Sequence, residues 1–236
     1  MTLEQLRLYH PRLVYKNYSI TKRNGNIVIE YEFLLEPDIV FRPRVTIPFD
    51  GEFDENALRP YVFHLGLVEA ISYWKAACPA EFVVEAGALS AEQLRFWYDL
   101  FVHGLGEFFY RNTIDFTQKD FLKIISTGKE DKKPNLARYN NLSLSSSDLL
   151  LVGGGKDSAV ALGLLKKSSR KLRTMIVNPT KAALAIVHAS ASSPPLVVHR
   201  TIDPELLALN AKGYLNGHTP FSAYLAFLGI TVAFLT

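Results

Sequence analysis

Cysteine is nearly missing from this sequence of 236 residues, which contains only Cys78. A single cysteine excludes an internal disulfide and favours a reducing compartment, so we expect a cytoplasmic protein. The thiol follows a long apolar segment. We therefore expect Cys78 to be a small core residue and not a nucleophile.

Long hydrophobic runs and a strong excess of one charge are also lacking. The longest apolar stretch, Ala223 to Leu235, is shorter than the ~20 residues that a membrane helix needs, and the N-terminus lacks the apolar core of a secretion signal. The net charge of +3 is small, so we expect neither a nucleic-acid partner nor a membrane.

Because the sequence stops inside the apolar stretch, we expect a fragment of a longer enzyme. The alternative is a final buried strand.

The first fifty residues have the pattern of a small antiparallel meander. Two apolar runs, 14–20 and 27–35, flank Asn24-Gly25, and both turn residues tolerate the positive φ of a tight hairpin. A third run, 39–49, contains Pro43 and is predicted to be an edge strand. Helices are predicted over 57–78 and, after a capping box at Ser90 and Gln93, over 91–112.

The second half of the sequence alternates between strand and helix patterns. Strands are predicted at 148–152, 174–177 and 196–199, with helices beginning near Asp157, Asn178-Pro179 and Asp203-Pro204. The polar stretch 126–147 between the halves resembles a linker. We predict an α+β domain over 1–125, a linker over 126–147, and a doubly wound, mostly parallel α/β domain over 148–236 that is incomplete at its C-terminal end.

Three glycines follow the first strand of this second half. Gly153, Gly154 and Gly155 let backbone amides approach a ligand closely, and the helix that begins near Asp157 adds unpaired amides. The pattern therefore favours a phosphate. Asp157 would repel it unless a cation lies between them, which implies Mg²⁺ bound by Asp157, with Lys156 as a second countercharge.

Two common phosphate loops do not fit these residues. A Walker A motif needs Ser or Thr where Asp157 stands and glycine where Leu150 stands. The dinucleotide motif needs glycine where Ser158 stands. The loop is instead similar to the pyrophosphate loop of N-type ATP pyrophosphatases, Ser-Gly-Gly-x-Asp-Ser, with Gly153 in place of the usual serine. That resemblance implies that residues 153–158 bind ATP, which is split into AMP and pyrophosphate.

Three further stretches, taken with the loop, resemble the UDP-N-acetylmuramoyl-L-alanyl-L-glutamate epimerases of peptidoglycan synthesis. They are residues 65–75 with Cys78-Pro79, residues 104–110 with 114–116, and residues 215–220. The resemblance implies that ATP activates the α-carboxylate of the terminal L-glutamate as an acyl adenylate. The Cα proton then becomes acidic enough to be removed and returned on the other face. With one cysteine, a mechanism with two thiols cannot be built from this chain.

The resemblance also directs attention to a few polar residues. Asn216, Gly217 and His218 are expected at the substrate, and Asp157, His218 and Glu107 are the candidate catalytic residues. For His218, a capping or packing role in its loop is an equally good interpretation. Asn178 is expected near the adenine or ribose, or else as a helix cap.

Charged residues recur every fourth position on the second long helix and are expected to form a ladder of ion pairs: Arg95, Asp99, His103, Glu107 and Arg111. The alternative is that His103 and Glu107 form an acid–base pair. Glu69 and Lys75, on a mostly apolar helix, are expected to line a cleft or to make a buried polar contact.

Two other functions remain compatible with these residues. One is a different adenylating enzyme, such as a ligase or a tRNA thiolase, although the latter would want paired cysteines and a basic RNA-binding face. The other is a nucleotide-binding or scaffolding domain without turnover. The sequence does not predict the oligomeric state.

Overall fold

The computed structural model describes residues 1–129, 147–168, 170–190 and 193–236, so most of the predicted linker lies outside the described residues. The strands of this part are β1 (Arg12–Arg23), β2 (Asn26–Leu35), β3 (Ile39–Phe41), β4 (Arg44–Pro48), β5 (Glu81–Val84), β6 (Lys123–Ser126), β7 (Ser147–Leu151), β8 (Lys171–Val177) and β9 (Leu196–Thr201). The helices are α1 (Leu3–Tyr9), α2 (Glu55–Trp74), α3 (Ala91–His103), α4 (Gly106–Arg111), α5 (Lys156–Leu165), α6 (Lys181–Ser190), α7 (Pro204–Ala211) and α8 (Phe221–Leu235).

All the described strands belong to one mixed sheet, in the order β6-β5-β1-β2-β4-β9-β8-β7, with β3 also paired to β2. The predicted hairpin is confirmed: β1 and β2 pair antiparallel around Asn24 (φ 49°) and Gly25 (φ 71°), both in the left-handed region that this turn requires. Residues of β2 alternate between buried and half-buried, as expected for a strand with one face on the core.

The predicted edge strand containing Pro43 is wrong. The run divides into β3 and β4, and β4 lies inside the sheet, paired with β2 on one side and β9 on the other. Pro43 falls in the break between the two strands, where its missing N–H removes no ladder bond and its carbonyl accepts from Tyr31 N at 3.0 Å.

Two predicted helices are shorter in the structure. Helix α2 ends at Trp74 and not at Cys78, which has φ 50° and precedes Pro79, a position that disfavours helix. The capping box at Ser90 and Gln93 is confirmed. The helix that it begins stops at His103, and a Cβ at Gly104 would lie 2.4 Å from the Leu100 carbonyl oxygen. A short helix, α4, follows.

The strand–helix alternation of the second half is confirmed, with β7, β8 and β9 parallel and adjacent. One face of these strands packs Val152 and Ile176 against α6, and the opposite face packs Leu149 and Met175 into the main core with α8. In a doubly wound sheet the spatial order of the strands changes direction at one point. The strands β7, β8 and β9 follow one another in a single direction, so this change is not found among the described strands and the doubly wound sheet stays a prediction.

The apolar C-terminal stretch is helix α8, so the alternative of a final buried strand is wrong. Helix α8 packs beside α2 on the sheet. Antiparallel pairing of β4 with β9 joins the two predicted domains into one sheet, and the main core contains residues of both. The division of the chain into domains stays a prediction.

Candidate active site

The glycine loop lies at the carboxyl edge of the parallel strands, directly after β7. Gly154 has φ +94°, and a Cβ there would lie 2.8 Å from the backbone nitrogen of Ala183, in the first turn of α6. Only glycine fits that conformation and that approach. The loop therefore rests on the beginning of α6, and its shape is fixed by backbone contact.

One of the loop's amides is already engaged. The Gly153 N–H donates to the Ser158 hydroxyl at 3.1 Å, which closes the loop over the first turn of α5. Gly155 is the N-terminal cap of α5 and supplies no side-chain hydrogen bond, so the first amides of this helix have no side-chain cap. Nothing lies within 4 Å of a Cβ built at Gly155. Helix amides without a side-chain cap, next to a glycine with open space around it, favour an anion.

Lys156 and Asp157 are both exposed in the first turn of α5. The described residues hold no cluster of three or more His, Cys, Asp or Glu side chains that could bind a metal ion by themselves. Mg²⁺ usually binds through one or two carboxylates together with substrate phosphates, and a single exposed carboxylate beside a phosphate cradle fits that use. Asp157 is thus a fitting ligand only for a metal that arrives with a nucleotide.

Asn178 follows β8 at the same edge, but it does not cap α6. That helix is capped by Thr180, whose hydroxyl accepts from Ala183 N at 3.1 Å. The carboxamide of Asn178 instead donates to the Arg200 carbonyl and accepts from the Arg200 N–H, both at 2.8 Å. The capping alternative for Asn178 is therefore wrong, and the side chain ties the end of β8 to the end of β9.

Arg200 continues this connection into the core. Its guanidinium donates to both carboxylate oxygens of Glu69 on α2, at 2.8 and 2.9 Å, and to the Ser72 hydroxyl at 3.0 Å. The side chains of Arg200 and Glu69 are 10% and 0% exposed. The guanidinium also lies 4.5 Å from the ring centre of Tyr224 on α8. Burial alone would lower the pKa of Arg200, but Glu69 outweighs it and the net shift is upward.

Lys75 is the C-terminal cap of α2 and lies about one turn beyond Ser72, so Glu69, Ser72 and Lys75 form a polar stripe at helical spacing along the buried C-terminal half of this helix. The Lys75 ammonium donates to the carbonyl of Gly217. Burial lowers the pKa of Lys75 to about 8, with Glu107 opposing the shift and Arg200 adding to it. The expectation that Glu69 and Lys75 make buried polar contacts is confirmed.

The segment Asn216–His218 is held at three consecutive residues. The Asn216 carbonyl accepts from Asn112 at 3.0 Å, the Gly217 carbonyl accepts from Lys75, and the His218 N–H donates to Glu107 at 2.9 Å. A Cβ at Gly217 would lie 3.1 Å from the Phe108 ring, so the segment lies tightly on α4. Its conformation is set by residues that are 104 or more positions earlier in the chain.

A cleft of about 320 Å³ opens beside this segment, lined by Arg111, Asn216, Gly217 and His218. The hydrogen bond from His218 N–H lowers the pKa of Glu107, and the His218 and Arg111 side chains act in the same direction, so Glu107 is ionised at neutral pH. Two of the three predicted catalytic residues, Glu107 and His218, are thus brought together. Asp157 stays with the glycine loop, and no hydrogen bond or ion pair of the described residues joins it to either.

The ladder predicted along one helix is interrupted at Gly104. Arg111 pairs with Glu107 at 3.4 Å on α4, whereas His103 pairs with Asp99 at 2.7 Å on α3. An acid–base pair of His103 with Glu107 is therefore wrong.

Cys78 is buried, and burial raises the pKa of its thiol to about 12, which confirms a core role.

The sequence missed two contributors, Arg200 and Asn112. Arg200 lies in a β-strand pattern with no local sign of its partner, because Glu69 is 131 residues away. A usable signal was nonetheless present at the C-terminal end of α2, where Glu69, Ser72 and the capping residue Lys75 recur every third position among buried apolar residues.

Fold and site together define a mixed α/β protein in which one sheet carries both a glycine loop and a separate polar cleft. Residues 6–236 match the family described as MurL N-terminal domain, and the chain belongs to this family. No helix among the described residues combines the length and apolarity that crossing a membrane requires.

Three curated relatives share the name UDP-N-acetyl-alpha-D-muramoyl-L-alanyl-L-glutamate epimerase. The chain is 32% identical to the protein of Micromonospora sp. over all of its own length and 52% of the relative. It is 28% identical to that of Xanthomonas oryzae pv. oryzae over 87% of the chain and 44% of the relative. It is 29% identical to that of Salinispora tropica over all of the chain and 50% of the relative. The chain thus spans about half the length of these relatives. No solved structure matches it significantly.

Proposed function

We propose that this protein acts as an ATP-dependent epimerase on the terminal L-glutamate of UDP-N-acetylmuramoyl-L-alanyl-L-glutamate and that it works in the cytoplasm. The observation that carries the proposal is the convergence of the three stretches that resemble the epimerases. Lys75, Glu107 and Asn216–His218 come from these stretches, and Lys75 and Glu107 hydrogen-bond the segment Asn216–His218 that lines one cleft. The names of the curated relatives support the same reaction.

The glycine loop is assigned to ATP. Uncapped amides at the start of α5 and the exposed side chains of Lys156 and Asp157 suit a chain of phosphates, and Mg²⁺ would be held by Asp157 together with those phosphates. The α-carboxylate would attack the α-phosphorus of ATP and displace pyrophosphate, which removes a negative charge next to the Cα–H. The proton to be removed is then much more acidic. After the proton has been returned, water would hydrolyse the acyl adenylate and release AMP.

Proton transfer is assigned to His218 and Glu107. Imidazole is suited to accept and return a proton near neutral pH. Glu107, whose pKa is lowered by the hydrogen bond from the His218 N–H, holds the histidine backbone beside the cleft. Asn216 and Gly217, which line the same cleft, position the substrate.

Solvent isotope exchange tests the proposal. The chain is incubated in D₂O with the UDP-muramoyl dipeptide, with and without ATP and Mg²⁺, and deuterium at the glutamate Cα is measured by mass spectrometry. We expect incorporation only with ATP, with pyrophosphate released, and loss of incorporation in Asp157→Asn and His218→Gln. Exchange without ATP would contradict the acyl-adenylate route.

A nucleotide-binding domain without turnover is the second candidate, because the chain spans only about half of its relatives. In that case ATP would bind to the chain, and neither pyrophosphate nor exchange would appear. Adding the remaining half of a relative as a separate protein would then be expected to restore exchange.

A further inference from the structure

The ammonium of Lys75 is an unusual group for the interior of a protein. The residue is 6% exposed, and the described residues offer the ammonium a neutral carbonyl, that of Gly217, and no carboxylate within ion-pair distance. The ring of Phe108 lies 5.9 Å from it. A buried charge without a countercharge is costly, and proteins seldom keep one without a use.

The charges around Lys75 leave one positive charge uncompensated. From β9, Arg200 faces the lysine but is neutralised by Glu69 on α2. From α4, Glu107 faces it as well, but Glu107 also pairs with Arg111 at 3.4 Å. One carboxylate therefore serves two cations, Lys75 and Arg111, before any charge on His218 is counted.

The cleft next to these charges presents donors whose capacity is only partly used. Arg111 is 62% exposed and gives Glu107 one contact. Asn216 uses its side-chain oxygen to accept from Gly217 N, which leaves its NH₂ group free of partners among the described residues. His218 contributes an exposed ring, and Lys75 lies behind the Gly217 peptide that forms one wall.

We propose that this cleft binds a carboxylate, and that the ligand is the side-chain carboxylate of the substrate's terminal glutamate; the identity of the ligand rests on the proposed function. Arg111 and Asn216 donate to the carboxylate oxygens, and Lys75 supplies the charge behind the Gly217 wall. A planar guanidinium suits a carboxylate, and a single negative charge matches the single uncompensated positive charge. Fixing the side chain here would place the α-carbon near His218.

Binding of the carboxylate should be linked to pH through Lys75. The lysine is charged below pH ~8 and increasingly neutral above it, because burial lowers its pKa to about 8. An anion favours the charged form, so its binding raises the pKa of Lys75. Affinity is therefore full below pH 8 and falls as the pH rises above it, and at pH 8.5 binding takes up protons from the buffer.

The test uses calorimetric titration of the full chain with L-alanyl-L-glutamate. We expect binding that weakens roughly tenfold or more in Arg111→Gln, since a charge-assisted hydrogen bond is lost, and that stays unchanged in Arg95→Gln, an exposed arginine on α3. L-Alanyl-L-glutamine, which lacks the side-chain charge, should bind much more weakly. Heats measured at pH 8.5 in two buffers of different ionisation enthalpy should reveal proton uptake, which disappears in Lys75→Met.

The outcomes separate the two proposals. Absent dipeptide binding, equal affinity for the glutamine dipeptide, or an unchanged affinity in Arg111→Gln would overturn the carboxylate site. Competition by uridine monophosphate that depends on Arg111 would overturn it in favour of a phosphate site. If the dipeptide binds as expected but isotope exchange never occurs, the carboxylate site stands and the epimerase reaction of this chain is rejected. Exchange that persists in Arg111→Gln with unchanged KM rejects the site alone.

Discussion

Replacing Glu69 by glutamine should destabilise the protein severely. Glu69 is fully buried on α2, and both of its oxygens accept from Arg200, at 2.8 and 2.9 Å. Glutamine keeps the size of the side chain but removes the negative charge, and its NH₂ group would face guanidinium donors. The charge of Arg200 would then be buried without compensation, because Ser72 and Tyr224 are neutral.

The expected loss follows from this geometry. Removing one partner of a buried ion pair costs about 3–5 kcal/mol, since the remaining charge keeps its desolvation penalty. For a chain of this size, 1 kcal/mol corresponds to roughly 2–4 °C in the melting temperature, so Tm should fall by about 6–20 °C. An exposed pair gives the comparison. Glu30 and Arg44 lie 2.8 Å apart but are 39% and 54% exposed, and Glu30→Gln should cost at most ~1 kcal/mol.

Urea denaturation followed by circular dichroism measures both variants. A third protein, Glu69→Leu with Arg200→Leu, removes both charges and should recover much of the stability, because no buried charge is left alone. Asn178 binds only the backbone of residue 200, so its hydrogen bonds can persist in that protein. The reasoning fails if Glu69→Gln loses no more than Glu30→Gln, or if the double variant is less stable than Glu69→Gln.

Three further predictions concern single positions. Gly154→Ala should lower the free energy of unfolding by about 1–3 kcal/mol and weaken pyrophosphate binding, because the φ of Gly154 is +94° and a Cβ there would meet Ala183. The control Gly163→Ala, in open space on α5, should instead raise the free energy of unfolding by roughly 0.5–1 kcal/mol. Equal effects of the two substitutions in urea denaturation would contradict this reasoning. Between pH 8 and pH ~10.4, the free energy of unfolding of the wild type should rise relative to that of Lys75→Met. The reason is that the pKa of Lys75 is lowered in the folded state, so the unfolded chain binds more protons in this range. Parallel dependence of the two free energies on pH would refute this prediction. Cys78 should resist alkylation at pH 8 until the protein unfolds, because burial raises the pKa of its thiol to about 12, and rapid labelling of folded protein would show the site to be open.

Local features of the chain were predicted well because their causes are local. The Asn24-Gly25 hairpin needs positive φ at two neighbouring residues, and the capping box at Ser90 needs a partner three residues later. The Asp203-Pro204 helix start is confirmed for the same reason, since Asp203 accepts from Glu205 N at 2.9 Å. The glycine loop was likewise found where strand, turn and helix signals coincide.

Several expectations failed where tertiary contacts decided the outcome. Pro43 was expected at an edge, but the docking of β9 against β4 places that strand inside the sheet. Helix capping was one of the two interpretations of Asn178, but its carboxamide binds the backbone of Arg200 on the adjacent strand. No window of sequence contains both partners, so local patterns could not predict either contact.

By itself, the sequence determined most of the elements, the position of the glycine loop at Gly153–Gly155 and the set of polar residues from which a site could be drawn. Only the tertiary structure decided which of them meet. It joined Lys75, Glu107 and Asn216–His218 and left Asp157 apart. The physical reason is that turns and caps depend on a few adjacent dihedral angles and amides. A buried ammonium or ion pair acquires its partners only when helices and strands more than a hundred residues apart pack on the same sheet.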